Sequence, residues 1–315
     1  MGNLHLFEGI PGLESWAKVE PVNKGWSRDD KYYVETGRGE KLLVRVSDIA
    51  DLPRKEKEYE ALQRLSGIPI LMSRPVAFGT CNAGKHAFTV LTWIDGVPAD
   101  ERLPGLPRKD QYELGYIAGR VLREIHTIPA PDGQPDWAER FNRKIDRNIR
   151  NHEACEFKLP FAHNIISYID ANRHLLQNRP QVFQHGDYHC GNMIVIPTGE
   201  LGVIDFNRLD YGDPWEEFNR IVWCAAVSPH FASGRINGYF GAGDTVDGRV
   251  DVPGEFFKLM ALYIGSNMLS SVPWAIPFGQ SEVDTMVTQA RAVMDWYDDY
   301  RGYVPKWYVE QPCGG

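Results

Sequence analysis

The stretch from Gln184 to Pro214, QHGDYHCGNMIVIPTGELGVIDFNRLDYGDP, constrains this chain more than any other. Within it Asp187, Asn192 and Asp205 follow one another at spacings of five and thirteen residues. VFQH, MIVI and LGVID are short β-favouring runs, and Pro197-Thr198-Gly199-Glu200 is a turn signal between the last two. A hairpin there turns Asp205 back towards Asn192. An amide and a carboxylate oxygen are hard donors suited to a hard divalent cation. A carboxylate ahead of them is suited to orienting a hydroxyl and accepting its proton.

The order and spacing match the catalytic-loop Asp, catalytic-loop Asn and metal-binding Asp of protein kinases. His185-Gly186-Asp187 with Asn192, then Ile204-Asp205 and Gly212-Asp213-Pro214, resembles the aminoglycoside phosphotransferase family of small-molecule kinases, in which Gly replaces the Arg of the kinase His-Arg-Asp. The resemblance implies an α+β, bilobal, protein-kinase-like fold. A small β-rich N-terminal lobe would occupy residues 1–94, and a larger, mainly helical C-terminal lobe residues 95–315. It also implies ATP or GTP as co-substrate and Mg2+ as cofactor, with Asp187 catalytic and Asn192 and Asp205 on the metal. Phe206-Asn207 follows the metal-binding Asp where protein kinases have Phe-Gly, and no Ala-Pro-Glu closes an activation segment. Protein substrates are therefore not expected.

The expected first lobe begins with a hairpin, Lys31–Glu35 and Lys41–Val46, joined by Thr36-Gly37-Arg38-Gly39-Glu40. Ahead of it Asn23-Lys24-Gly25-Trp26-Ser27-Arg28 stands where a kinase covers the phosphates, so Gly25 amides and the Ser27 hydroxyl are candidate phosphate contacts. A plain surface turn is the alternative. Strand alternation puts Leu43 and Arg45 on one face, Leu43 to roof an adenine and Arg45 to reach phosphates. Kinases have Lys at that place; Arg is longer, forked and always charged. Lys41 shares the face but lies about 13 Å away along the strand. A helix is predicted over 53–65, ended by Ser66-Gly67, with Glu58 on its apolar face beside Ala61, Leu62 and Leu65. A carboxylate there needs a cation, and Arg45 is the candidate. His86–Ile94 is a strand, which the resemblance makes the approach to the hinge: Leu91 as gatekeeper, and the backbone of Thr92, Trp93 and Ile94 against the purine.

The remainder reads as helical. The spacing Leu114, Ile117, Ala118, Val121, Leu122, Ile125 predicts a core helix over 110–128 with His126 packing or capping its end. Two polar-faced helices are predicted within 137–178, where the resemblance places part of the substrate wall. Asp213 before Pro214 reads as an N-cap followed by Pro at the first helical position. Helices are also predicted over 255–272 and 281–300, separated by Ser271–Pro277. Asp210, Asp213, Glu216 and Glu217 are candidate contacts to a cationic substrate, and Asp295, Asp298 and Asp299 are further acids in the same half. Each has the alternative of a solvated face or cap. Within the catalytic loop His189 reads as packing, and Cys190 as a thiol exposed to alkylation.

Composition narrows the partners. The 315 residues carry a formal net charge of −8, which argues against nucleic acid or an anionic membrane as partner and permits a cationic small molecule. Five scattered cysteines without CxxC pairing suggest neither a disulfide framework nor a zinc site, and point to a reducing cytoplasm. No basic leader, myristoylation pattern or bilayer-length apolar run is read, so an unanchored protein is expected. The leading acceptor is an aminoglycoside. A macrolide, choline, homoserine or methylthioribose hydroxyl is the alternative, as is a catalytically silent nucleotide binder.

Overall fold

Turn chemistry and alternation place the elements of the computed structural model, which describes residues 4–23, 28–241 and 250–310. The chain runs through β1 (Trp16–Pro21), β2 (Asp30–Thr36), β3 (Lys41–Asp48), α1 (Leu52–Leu65), β4 (Pro75–Cys81), β5 (His86–Thr92) and β6 (Val97–Pro98). Next come α2 (Ala99–Arg102), α3 (Arg108–Ile125), α4 (Trp137–Ala154), α5 (Ala162–Asn172), β7 (Val182–Gln184), β8 (Met193–Val195) and β9 (Leu201–Val203). It ends with β10 (Asp210–Gly212), α6 (Ile221–Val227), α7 (Pro229–Phe240), α8 (Gly254–Ala275) and α9 (Gln280–Trp296). These elements form two compact units. One holds the described residues of Met1–Pro98 with Met193–Asn207, the other those of Ala99–Asn192 with Arg208–Gly315. The division thus differs from a single break at residue 94, because the hairpin preceding Asp205 groups with the first unit.

The first unit is a five-stranded antiparallel sheet, order β1-β2-β3-β5-β4, with α1 and the small sheet β6-β8-β9. Alternation sends Val34, Val44, Val46, Phe88 and Val90 into a core with Phe7 and Ile10. That leaves Arg45 and Ser47 on the opposite face of β3, where they too are buried. Helix α1 begins with Pro53 in its first turn and buries Ala61, Leu62 and Leu65. The β8–β9 hairpin pairs Met193 with Val203, and a parallel bridge from Met72 to Val203 ties it to the segment after α1.

The second unit is organised around α3, α7 and α8. Helices α3 and α7 meet backbone to backbone: a Cβ at Gly119 would sit 2.1 Å from the Arg235 carbonyl oxygen, and one at Gly234 would sit 2.2 Å from that of Tyr112. Only glycine admits such an approach. Buried α8 is the floor on which α4 and α5 pack. Two predictions are corrected here. Helix α8 continues through Pro273 to Ala275 instead of ending before it. The run Gly254–Phe278 is long and apolar enough to cross a bilayer, contrary to the sequence reading, yet 67% of its 18-residue apolar window is buried within the protein, as in a core helix.

Candidate functional site

The loop that carries Asp187 leaves β7 at Gln184, which pairs with Asp210 on β10. Gly186 follows with φ of 80°, and a Cβ there would lie 1.9 Å from the Arg208 carbonyl oxygen. This is a physical reason for glycine between His185 and Asp187. The Gly186 amide donates to both carboxylate oxygens of Glu217, at 3.0 and 3.2 Å. Buried Arg235 donates to the carbonyls of Tyr188 (2.7 Å) and Glu217 (3.2 Å), with its guanidinium 4.7 Å from the rings of both Tyr188 and Phe218. The Tyr188 hydroxyl donates to the Ala118 carbonyl at 2.7 Å. The loop is thereby fixed on α3 and α7.

Asp187 stands on this support with three cationic or ionisable neighbours. Arg220 Nε is 3.2 Å from its Oδ1, and Arg208 Nε and His189 Nε2 are each 3.8 Å from its Oδ2. Burial alone would raise the Asp187 pKa, but His189, Arg220 and Arg208 outweigh it and hold the carboxyl well below the usual range. Asn192 donates its amide hydrogens to the Asp187 carbonyl at 2.9 Å. This commits its nitrogen and leaves the amide oxygen as the side chain's acceptor.

In the first unit Arg45 is the centre of a buried ion cluster. Its Nη2 is 2.7 Å from Asp29, and its Nη1 is 2.9 Å from Asp205 and 4.0 Å from Glu58. Glu58 therefore does lie beside Arg45. Lys55, three residues earlier on α1, shares both carboxylates, 2.5 Å from Asp29 and 3.2 Å from Glu58. Neither Lys55 nor Asp29 is singled out by the sequence reading. Lys55 is the lysine at i−3 from Glu58, and that spacing was the available signal. Half-buried Lys31 lies opposite Arg45 across β2 and β3; burial lowers its pKa while the Asp205 charge opposes the shift. Asp205 adopts φ of 64°, a left-handed conformation that side chains other than glycine adopt at a cost and that recurs at functional sites.

The remaining nucleotide candidates are distributed along the same sheet. Leu43 is half-buried and in register with buried Leu91. The Thr92 amide donates to the Arg74 carbonyl at 2.9 Å and the Trp93 amide to that of Lys41 at 3.0 Å. The purine-reading assignment is corrected to this extent: those two donors are already taken. The Trp93 ring meets Tyr33 edge-on at 5.0 Å, and Ile94 is half-buried. Ser27 and Gly25 lie outside the described residues.

The four substrate candidates are engaged within the protein. Asp213 is fully buried; it accepts from Arg179 at 2.7 and 3.0 Å and from the Tyr263 hydroxyl at 2.5 Å. Its carboxylate also caps the Trp215 amide at 3.0 Å, and the segment that follows, Glu216–Arg220, is a 3₁₀ helix leading into α6 instead of the predicted regular helix. Glu217 is equally enclosed. Burial would raise its pKa, but His126, His185 and the Gly186 amide bring it below the usual value. Both residues are corrected from substrate contacts to supports of the loop. Glu216 accepts from Lys144 at 2.8 Å and Gln184 at 3.2 Å, and exposed Asp210 pairs with Arg140. Asp295 pairs with Lys306, and Asp298 and Asp299 with Arg301. Cys190 is also corrected: it is buried at 2% exposure, and contact with the Cys224 thiol, added to burial, pushes its pKa upward.

Among the described residues no three His, Cys, Asp or Glu side chains gather as a metal cage. Asn192 in the second unit and Asp205 in the first each carry a hard oxygen of the kind that magnesium takes. A family profile described as phosphotransferase enzyme family matches residues 18–249. Curated proteins include no match for the chain. The gentamicin complex of APH(2'')-IIa is similar at TM-score 0.59 and 16% identity, covering 87% of this chain and 91% of that one. The GDP complex of aminoglycoside 2'-phosphotransferase-IIIa is similar at TM-score 0.63 and 16% identity, covering 89% and 93%. A thermostable APH(4)-Ia in ternary complex with AMP-PNP and hygromycin B gives TM-score 0.64 and 14% identity, covering 91% and 96%. The fold is thus the kinase-like one of aminoglycoside phosphotransferases, and the chain belongs to the phosphotransferase enzyme family, whose members move a phosphoryl group to a hydroxyl.

Proposed function

We propose that the chain transfers the γ-phosphoryl group of ATP or GTP, with magnesium, to a hydroxyl of a small molecule in the cytoplasm. The observation that carries this reading is Asp187: an ionised carboxylate on a loop anchored by Glu217 and Arg235, flanked by two arginines. The hydroxyl oxygen forms a bond to the γ-phosphorus, the bond from phosphorus to the bridging oxygen breaks, and nucleoside diphosphate leaves. The hydroxyl proton passes to Asp187 and on to solvent. A carboxylate of such low pKa is a weak base, which suits a loose transition state in which the nucleophile needs orienting more than early deprotonation. Asn192 and Asp205 would hold magnesium, which when bound neutralises charge developing on the phosphates. Arg45, backed by Glu58, Asp29 and Lys55, would present a fixed guanidinium to them.

The aminoglycoside reading of the acceptor draws on the likeness to structures whose names include gentamicin and hygromycin B. Against it, Asp210, Asp213, Glu216 and Glu217 are already paired within this chain. A different small-molecule hydroxyl is therefore the second reading. A catalytically silent nucleotide binder is disfavoured by the arginine-flanked Asp187. Incubation with ATP or GTP, magnesium and a panel of alcohols, following nucleoside diphosphate release, tests the proposal. Acceptor-dependent release that Asp187→Asn abolishes is expected; nucleotide binding without release for any acceptor would refute it.

A further inference from the structure

Helix α4 places Arg140, Arg143, Lys144 and Arg147 at i, i+3, i+4 and i+7, which is one helical face. In a chain of net charge −8 this is a locally basic surface, and it is concave: the four side chains line a cavity of ≈ 420 Å³. Buried Trp137 and Phe141 contribute to its wall together with buried Gln184. Arg140 lies 5.3 Å over the Trp137 ring and Lys144 5.0 Å over that of Phe141. Two acids reach the cavity, and each is spoken for, Asp210 by Arg140 and Glu216 by Lys144. The Arg143 pair with Glu139, at 3.3 Å, is solvent-exposed on both sides and holds its cation weakly. Arg147 has no described carboxylate within 4.0 Å, so the wall keeps an excess of positive charge.

Gln184 belongs to this cavity and Asp187 is three residues further on. Three residues span at most about 11 Å, so the cavity lies within reach of the carboxylate that would orient a hydroxyl. A polyamine entering here would meet four like charges. An anion would meet a guanidinium without a counter-ion among the described residues and two ammonium or guanidinium groups already oriented by carboxylates.

We propose, building on the phosphotransferase reading, that this cavity receives the anionic group of the acceptor, so that the substrate is an alcohol carrying a carboxylate or a phosphate. Titration calorimetry with D-glycerate and glycerol 3-phosphate distinguishes the two anions, with glycerol as the neutral and gentamicin as the cationic comparison. At least one anionic probe is expected to bind the wild-type protein, and R143E/R147E to weaken it about tenfold or more. R150E makes the same kind of charge change on α4 outside the cavity and is expected to leave that affinity intact. Anionic probes that fail to bind, or that bind the double variant as well as the wild type, overturn the proposal. So does acceptor-dependent nucleoside diphosphate release confined to glycerol or gentamicin. Anion binding sensitive to R143E/R147E, with no release from any acceptor, would leave the anion site standing and refute the phosphotransferase reading instead.

Discussion

Asp213→Asn separates a structural carboxylate from a substrate contact. Asp213 is 0% exposed, and Arg179, at 12%, is its main partner. In the native protein Oδ2 accepts from Arg179 Nε and the Tyr263 hydroxyl, and Oδ1 from Arg179 Nη2 and the Trp215 amide. An asparagine amide has one acceptor oxygen, so whichever way it faces, its NH2 group meets two donors. The guanidinium also loses its buried counter-ion. Removing one partner of a buried ion pair costs about 3–5 kcal/mol. Glu255, 3.8 Å from Arg179 and 53% exposed, remains as a poor substitute, which places the expected loss near the lower limit, about 3 kcal/mol. For a body of this size each kcal/mol lowers Tm by about 2–4 °C, so a fall of roughly 6–12 °C is expected in a circular-dichroism melt. Acceptor KM, measured well below the new Tm, should stay within about twofold, a change worth less than 0.5 kcal/mol. An unchanged Tm with KM raised about tenfold would refute the structural assignment and return Asp213 to the substrate.

Asp187→Asn should lower turnover by about 10³-fold or more without weakening nucleotide binding. The depressed pKa of Asp187 keeps it ionised as pH falls, and its stabilising contribution, full above the unfolded value of about 3.9, disappears only as pH drops through the lower folded value. A kcat/KM profile should therefore show no Asp187 limb between about pH 5 and 6; a limb in that range that Arg220→Gln moves upward would contradict the strong depression. Lys55→Met leaves Asp29 and Glu58 with less buried positive charge and should destabilise the protein by about 3 kcal/mol in denaturant unfolding; no loss would show that Arg45 alone neutralises them. Iodoacetamide on the folded protein should spare Cys81, Cys155, Cys190 and Cys224, which are all buried; mass-spectrometric labelling of Cys190 before unfolding would contradict its placement.

The candidate residues legible in the sequence are those whose chemistry dictates residue type. Asp187, Asn192 and Asp205 declare themselves by spacing, and Glu58 by lying on the apolar stripe of α1. Lys55 did not, because a lysine three residues from a glutamate looks the same whether the pair is solvated or buried. Asp213 and Glu217 were misread for a related reason: their partners, Arg179 and the Gly186 amide, are 34 and 31 residues away. The i, i+4 glycines Gly115/Gly119 and Gly234/Gly238 were visible as a spacing. Their meaning depends on two helices meeting across more than a hundred residues of chain. Pro273 reads as a stop, but buried α8 tolerates it because packing on α4 and α5 outweighs one lost backbone hydrogen bond.

These glycines connect the fold of the second unit to its chemistry. Because Gly115 and Gly119 let α7 approach α3 without intervening side chains, Arg235 reaches the Tyr188 and Glu217 carbonyls from within the core. Glu217 in turn fixes the Gly186 amide, and the φ of Gly186 sets the direction in which Asp187 leaves β7. Each contact is local, yet the sequence runs without a gap from helix packing to the carboxylate that would orient the hydroxyl. The supports are buried and paired, while Arg208 and Arg220 beside Asp187 retain solvent exposure. That division suits phosphoryl transfer, where the orienting group must be held still and the positive charge around it must remain accessible to an incoming phosphate.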